Sequence, residues 1–353
     1  MRVQPATYVR GGTSKCWIFR ASQLPRDQGE IERVLIRSFG SPDPRQIDGV
    51  GGATSTTSKA IVVDDTETTG PVSYRFAQVS IETPTVEWDS NCGNCATGLA
   101  LFVLHAGLRP TSPGATRVVI RNIITGLELS CEIQTPNGAV PEYGDRVLDG
   151  QYYPGVPVDV VFEQSSWTTF RAELPTAHVI DTVRLDDREY RATLIDAGAP
   201  AALFDITSFP AGASDLQGGI DHLLENAGRL RAAAAALMNI PSHLSSIPKV
   251  GIIGPPPAGA VGLTARMISM NALHPAIGLT SAVAIGAALA MPDSVPRRYA
   301  ITEPPQDDKQ TVSIHLPDGI ALFELDQRSP TTVRFQRTAR ILSESNILVP
   351  PTY

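Results

Sequence analysis

The chain has 353 residues, with 29 Lys and Arg against 36 Asp and Glu, which gives a formal net charge of −7. That length is more than one ordinary domain fills and comfortable for two, and the acidic balance excludes nucleic acid as a default partner, because phosphate binding needs a basic face. With 42% hydrophobic and only 18% charged residues, against the roughly 25% charge usual in soluble domains, long buried segments are expected and intrinsic disorder is not.

The first third reads as short strands joined by Gly-rich turns. Ala6–Val9 leads into RGGTSK, and Cys16–Phe19 resumes an apolar run. Ile31, Val34 and Leu35 share one face of a helix over Glu30–Ser38 that Gly40 stops. A loop of small residues, DGVGGATSTTSK, precedes a strand at Ala60–Val63, and Val72–Glu87 alternates as strands do. Leu99, Phe102, Val103 and Ala106 recur at helical spacing, which predicts a helix over Cys92–His105 closed by Gly107. The second half repeats this scheme loosely, with strands at Arg191–Asp196, Leu203–Ile206 and Val250–Ile253 and an amphipathic helix over Asp221–Met238. Leu279–Met291 is apolar on every side and predicts a helix buried all round, with Thr280 or Ser281 as its cap. Two such helices could aim their free N–H groups at one anionic ligand. The least structured stretches are expected around Ser165 and Pro304. The domain boundary is expected near Leu174–Val179, giving domains at 1–176 and 177–353.

Cys16, Cys92, Cys95 and Cys131 are too few to form a disulfide framework in a chain this long. Cys92 and Cys95 make a lone CxxC with no second ligand pair, so neither a zinc site nor a thioredoxin-like dithiol is expected. No GxGxxG after a strand, Walker loop or HExxH occurs, so no cofactor and no metal is expected. No apolar run reaches the roughly 18 residues of a membrane span, and MRVQPATYVRGG lacks a secretory apolar core. A cytoplasmic protein is expected, and its low charge would suit a homo-oligomer interface.

At this point the sequence resembles the PrpF-like isomerases. RGGTSK at Arg10–Lys15, DGVGG and TSK between Asp48 and Lys59, and NCGN at Asn91–Asn94 follow that family's layout. LPT at Leu174, DAGAP at Asp196, ARM at Ala265, His274 and RTAR at Arg337 continue the series in order, so the resemblance covers nearly the whole chain. It implies an α+β, diaminopimelate-epimerase-like fold: two similar domains, each a mixed sheet wrapped around a central helix, with the site between them. On this fold the segment 337–353 would return as a strand to the first domain. The family includes methylitaconate isomerase, oxalomesaconate tautomerase and aconitate isomerases. The implied activity is therefore cofactor-independent movement of a C=C bond, or cis–trans interconversion, in a small unsaturated di- or tricarboxylate.

Such chemistry removes a proton from one carbon and returns one to another, which calls for a matched base and fixed donors for the dienolate. Cysteine and lysine suit it, since burial or a helix N-terminus can bring either pKa toward neutrality. Cys92 stands where the family carries a catalytic cysteine; read alone, it is equally a small buried hydrophobe. Lys59 ends the small-residue loop where the family has a lysine partner to that cysteine; read alone, it is a solvated strand-edge lysine. Thr13, Ser14 and, more weakly, Lys15 are candidates to bind a substrate carboxylate, as is the Gly93 N–H. Asn91 and Asn94 could cap the helix or touch substrate. Arg266 offers a bidentate fork, while His274, Thr280 and Ser281 could complete the anion site.

Cys16, Ala53 and Ala199 depart from the family pattern, where glycine, glycine and asparagine are common, and they bear on which acid is bound. A bulkier secondary-metabolite acid and a non-catalytic carboxylate-binding module remain as alternatives. A two-cysteine racemase would need a cysteine where this chain has Thr280 and Ser281.

Overall fold

Alternating apolar residues build the strands, and two runs that are apolar on all sides build the helices they enclose. The computed structural model describes residues 1–353 except 90, 149–150, 164–173, 198–199, 211–215, 242–246, 270–271, 275–276, 303, 305–308, 318, 327–331 and 351–353. Of the sequence expectations, those concerning Ser165, Ala199 and the Thr280 side chain lie outside what is described. The chain forms two compact units, Met1–Val161 with Arg337–Tyr353, and Phe162–Gln336.

In the first unit the elements run β1 (Arg2–Gly11), β2 (Ser14–Arg20), α1 (Gln28–Phe39), β3 (Lys59–Val63), β4 (Val72–Val79), β5 (Val86–Glu87), α2 (Gly93–His105), β6 (Gly114–Asn122), β7 (Glu128–Thr135) and β8 (Val156–Glu163). β1 and β2 pair antiparallel, β2 and β3 parallel, β3 and β4 antiparallel, β4 and β6 parallel, and β6, β7 and β8 antiparallel in turn. In the second unit come β9 (Asp181–Leu185), β10 (Arg188–Asp196), β11 (Pro200–Asp205), α3 (Leu216–Leu237), β12 (Lys249–Gly254), β13 (Leu263–Ser269), β14 (Ala272–Leu273), α4 (Leu279–Leu289), α5 (Val295–Tyr299), β15 (Lys309–Leu316), β16 (Gly319–Asp326) and β17 (Thr332–Val349). The pairings β10–β11, β11–β12, β12–β13, β13–β15 and β15–β16 repeat the same alternation of antiparallel and parallel neighbours. The two units are topological duplicates. β17 continues past Gln336 into the first unit, where it pairs antiparallel with β1 over its whole length.

Each unit has two apolar layers. On the outer face of the first sheet, α1 lays Ile31, Val34, Leu35 and Phe39 over Trp17, Phe19, Ala60, Val62, Ala77 and Val79. Asp27 caps α1 by accepting from the Glu30 N–H, and Gly40 closes it in the left-handed conformation. The opposite face holds α2, whose residues from Cys95 to Leu104 are all buried and which packs against β1, β2, β3, β6 and β7. In the second unit α3 covers the outer face, setting Leu223, Ala227, Leu230 and Ala234 on Ala192, Leu194, Phe204, Val250 and Ile252. The apolar α4, buried throughout Ser281–Leu289, packs against β10 and β11.

α1 begins at Gln28 and α3 at Leu216, ahead of the expected Glu30 and Asp221, and two caps differ from the sequence reading. α2 begins at Gly93 with Cys92 itself as its cap, so neither Asn91 nor Asn94 has that task. α4 begins at Leu279 with Gly278 at the cap position and no side-chain bond there, so Thr280 and Ser281 lie inside the first turn.

The seat of α2 is tight. A Cβ at Gly11 would lie 1.9 Å from the Asn94 carbonyl oxygen and 2.7 Å from the Gly98 nitrogen, so strand and helix meet backbone to backbone. Only glycine permits that approach. Gly11→Ala is therefore expected to lower stability by about 1–3 kcal/mol or more, as overpacking against an unyielding backbone does. Thermal unfolding would read this as a clear fall in melting temperature, and an unchanged value would mean α2 can shift on β1.

Candidate active site

Strand alternation sorts the candidates between faces. Trp17 and Phe19 lie under α1, so Ser14, Cys16 and Ile18 face α2, and Lys15 does not. Ala60 and Val62 lie under α1, so Lys59 and Ile61 face α2. In β4, Ala77 and Val79 take the outer face and leave Phe76 and Gln78 on the inner one. The start of α2 is thus ringed by Ser14, Cys16, Lys59, Phe76 and Gln78.

Lys59 is held firmly. Its Nζ donates to Gln78 Oε1 at 2.6 Å and stands 4.9 Å from the centre of the Phe76 ring. Gln78 lies directly across the ladder, and its own Nε2 donates to the Ser58 carbonyl at 2.8 Å, which fixes the amide with its oxygen toward the lysine. Cys92 lies near enough for its charge to act on the Lys59 ammonium. The loop before it is organised from inside by Gln46, which is 2% exposed. Gln46 Oε1 accepts the Ala53 N–H at 2.8 Å, and Gln46 Nε2 donates to Ser58 Oγ at 2.8 Å. Ala53 is thereby kept at φ +56, a conformation that a glycine would adopt without strain.

Cys92 has extended backbone (φ −127, ψ 100), and its Sγ accepts the Cys95 N–H at 3.4 Å. It is half-buried, whereas Cys95 and Cys16 are fully covered. Cys95 interacts with Cys92 on one side and with Cys16 on the other. The neighbouring Cys95 and burial push the Cys92 thiol well above the ordinary range, with Lys59 pulling the other way. For Lys59 burial is the largest influence and disfavours the ammonium, but the thiolate charges of Cys92, Cys95 and Cys16 outweigh it and hold the pKa up. Neither group is drawn toward neutrality, contrary to the sequence reading. The two form one coupled pair in which each charge favours the other, and it stays fully protonated beyond neutral pH.

Asn94 links α2 to the β1–β2 turn. Its Nδ2 donates to Thr13 Oγ1 at 3.0 Å and Ser14 Oγ at 3.4 Å. Both hydroxyl oxygens accept from Asn94, so their hydrogens are turned away from it and available to an anion. Gly12, at φ +48, makes the turn, and its N–H donates to the Thr338 carbonyl at 2.8 Å. Arg10 Nη1 secures the same corner by donating to Thr338 Oγ1 at 2.8 Å and Gln151 Oε1 at 3.1 Å. The Gly93 and Asn94 amides belong to the first helical turn, where N–H groups have no partner within the helix.

Three candidates fall elsewhere. Asn91 Oδ1 accepts from Asn122 Nδ2 and Thr125 Oγ1, both at 2.8 Å, which ties the entry of α2 to the turn after β6. Lys15 lies on the outer face, its Nζ 5.3 Å from the centre of the Tyr8 ring. Arg266 pairs with Ile252 and shares the α3-side face of β13 with Ile268, opposite to α4, and its Nη1 donates to the Ala265 and His315 carbonyls at 2.9 and 2.8 Å. In the second unit His274 is half-buried, and its N–H donates to the Met267 carbonyl. Ser281 is buried in the first turn of α4. Sequence reasoning missed Gln46 and Gln78, which carry no motif; the register that sets Gln78 opposite Lys59 is the signal that finds the second. Among the described residues no group of three or more His, Cys, Asp or Glu is arranged to hold a metal ion, and no helix is long and apolar enough to cross a membrane.

Comparison with known proteins agrees with this architecture. The PrpF protein family profile matches residues 1–350. The (4E)-oxalomesaconate Delta-isomerase of Novosphingobium sp. (strain KA1) is 32% identical, covering 98% of this chain and 97% of the relative. The 2-methyl-aconitate isomerase of Shewanella oneidensis is 31% identical over 98% and 96%. Among solved structures, a methylitaconate-delta-isomerase superposes with a TM-score of 0.79 at 26% identity, covering 98% of this chain and 95% of that one. A family match over essentially the whole chain, relatives above 30% identity and the duplicated sheet-around-helix units lead to one conclusion: the protein belongs to the PrpF family of isomerases, on a diaminopimelate-epimerase-like fold.

Proposed function

We propose that this protein moves a C=C bond in a small unsaturated di- or tricarboxylate by 1,3-proton transfer, with Lys59 and Cys92 as its acid–base pair and no cofactor. The observation that carries this reading is the placement of Lys59, held on the inner face of β3 by Gln78, beside Cys92 at the start of α2. The relatives act on oxalomesaconate and 2-methylaconitate, and the structural neighbour on methylitaconate, all acids of this class.

The proton bookkeeping is simple. When the pair has given up one proton, Lys59 can be a free amine beside the Cys92 thiol. One partner takes the proton from the allylic carbon, and electron density moves into a dienolate. The other partner delivers its proton to the far carbon, which completes the shift. The pair is left as ammonium and thiolate, and proton transfer from one to the other restores the starting form. The Gly93 and Asn94 amides and the Thr13 and Ser14 hydroxyls supply donors for carboxylate or dienolate oxygen, where fixed dipoles have most effect. Gln78 serves as a positioning residue, since it anchors the Lys59 ammonium from the side away from Ser58.

Cys92→Ser keeps a good cap residue, and Lys59→Met keeps a buried aliphatic stem. Each is expected to lower kcat by about 10²- to 10⁴-fold, the usual weight of a general acid or base, with melting temperature nearly unchanged. The assay is proton NMR in D₂O, following vinyl signals and deuterium entry at the allylic carbon of methylitaconate, 2-methylaconitate and oxalomesaconate. Full activity in Cys92→Ser would remove the pair from the mechanism.

The pH profile has a defined sign. Both pKa values are raised, so the fully protonated pair, which has no free base, persists through neutrality. The active form appears as the first proton leaves, so kcat/KM should climb with pH above neutrality. A profile already flat from mildly acidic pH would show that the base is another group.

A further inference from the structure

The mechanism uses one thiol of the CxxC and leaves Cys95 idle, although it is packed directly behind Cys92. We infer that Cys92 and Cys95 are an oxidative modification site, closing to a reversible disulfide when a peroxide reaches Cys92. The loss of activity that follows rests on the role proposed for Cys92; the disulfide does not.

Three features carry this. First, Cys92 Sγ accepts the Cys95 N–H at 3.4 Å, so its sulfur already sits against the residue it would bond to. Residues three apart at a helix surface stand about 5–6 Å apart at Cβ, and a disulfide needs roughly 3.5–4.5 Å. Cys92 can close that gap, because as the cap residue it has extended backbone and lies outside the helix proper. Second, access is graded. Cys92 is half-buried, while Cys95 and Cys16 have no exposed surface. An oxidant therefore meets Cys92 first, and the only thiol next to it is the one beneath. Third, the Lys59 ammonium stands beside Cys92, where its charge favours the thiolate that attacks peroxide.

The chemistry balances. The Cys92 thiolate attacks peroxide; the O–O bond breaks, an S–O bond forms, and hydroxide leaves, taking the proton from Lys59 as water. The sulfur has given up two electrons and is now a sulfenic acid. Cys95 attacks that sulfur, the S–O bond breaks, the S–S bond forms, and the hydroxyl departs with the Cys95 proton as a second water. A dithiol such as dithiothreitol reverses the step by exchange. Because the neighbouring Cys95 side chain and burial hold the Cys92 thiol protonated, oxidation should accelerate as pH rises.

The test treats the full chain with hydrogen peroxide under air-free conditions, then quenches, alkylates and maps peptides by mass spectrometry. The wild type should yield the Cys92–Cys95 peptide two hydrogens lighter and unalkylated, with activity lost and then recovered on adding dithiothreitol. Cys95→Ala, with its own activity before oxidation as the reference, should in excess peroxide carry Cys92 to sulfinic acid and not recover on adding dithiothreitol. Sulfinic acid at Cys92 in the wild type, a Cys16–Cys95 bridge in its place, or recovery of Cys95→Ala equal to wild type would overturn the inference. A Cys92–Cys95 disulfide formed with activity unchanged would uphold the modification site and sink the catalytic role of Cys92, so the two failures are distinguishable.

Discussion

The first unit is organised by the contact of β1 with α2 at Gly11 and Gly98, where two backbones touch without side chains between them. A helix this apolar, with every residue from Cys95 to Leu104 buried, would pack against a sheet in many rotations if side-chain contact alone guided it. The glycine seat removes that freedom. It brings the Asn94 carbonyl against Gly11, and so the first turn of α2 against the Gly12–Ser14 corner. From there Asn94 reaches both hydroxyls, and Cys92 meets Lys59 across the inner face of β3. The arrangement of polar groups therefore follows from a packing constraint among residues that have no chemistry of their own.

Duplication adds a contrast. In each unit the third principal strand starts with a lysine, Lys59 in β3 and Lys249 in β12, and an apolar helix follows a short hairpin strand. The cap positions then diverge: Cys92 begins α2, and Gly278 begins α4. A thiol at both helix starts would give two equivalent acid–base groups, the arrangement a racemase needs. With a thiol at one start only, the proposed proton transfer pairs Cys92 with a group of another kind, and Lys59 beside it is the proposed partner.

Much of this was legible in the sequence, because local rules govern it. Gly40 stopped α1 as read, the apolar runs marked α2 and α4, and NCGN located a helix start. The failures came where pairing decides the outcome. RGGTSK read as one loop, yet β2 begins inside it at Ser14, and from that residue onward neighbours alternate between faces; Ser14 turns toward α2 and Lys15 turns away. Arg266 looked like a substrate fork because an arginine in an apolar run needs a partner, but register with Ile252 sends it to the α3 side, where backbone carbonyls satisfy it. Gln46 and Gln78 had no signal at all, since a buried amide is recognised only by the donors and acceptors that surround it. The predicted pKa trend failed for a related reason: proximity to a helix start argues for a thiolate, but the neighbouring Cys95 and burial push the Cys92 thiol up more strongly.

That last point bears on why a lysine, and not a histidine, stands next to Cys92. An imidazole, with an unperturbed pKa near 6.5, would leave the pair deprotonated at neutral pH, with a good base and a poor acid for the return step. Two groups whose pKa values are both held high keep protons in supply and make the free base scarce. Scarcity costs rate, but the base that does form is strong, and a strong base is what a feeble carbon acid requires. Gln78 fits the same logic: a neutral acceptor at 2.6 Å steadies the ammonium without the full charge that would lock its proton in place, as a carboxylate there would. The site combines neighbouring sulfurs, whose charge keeps Lys59 a strong base in spite of burial, with neutral anchoring by Gln78, which keeps its proton releasable.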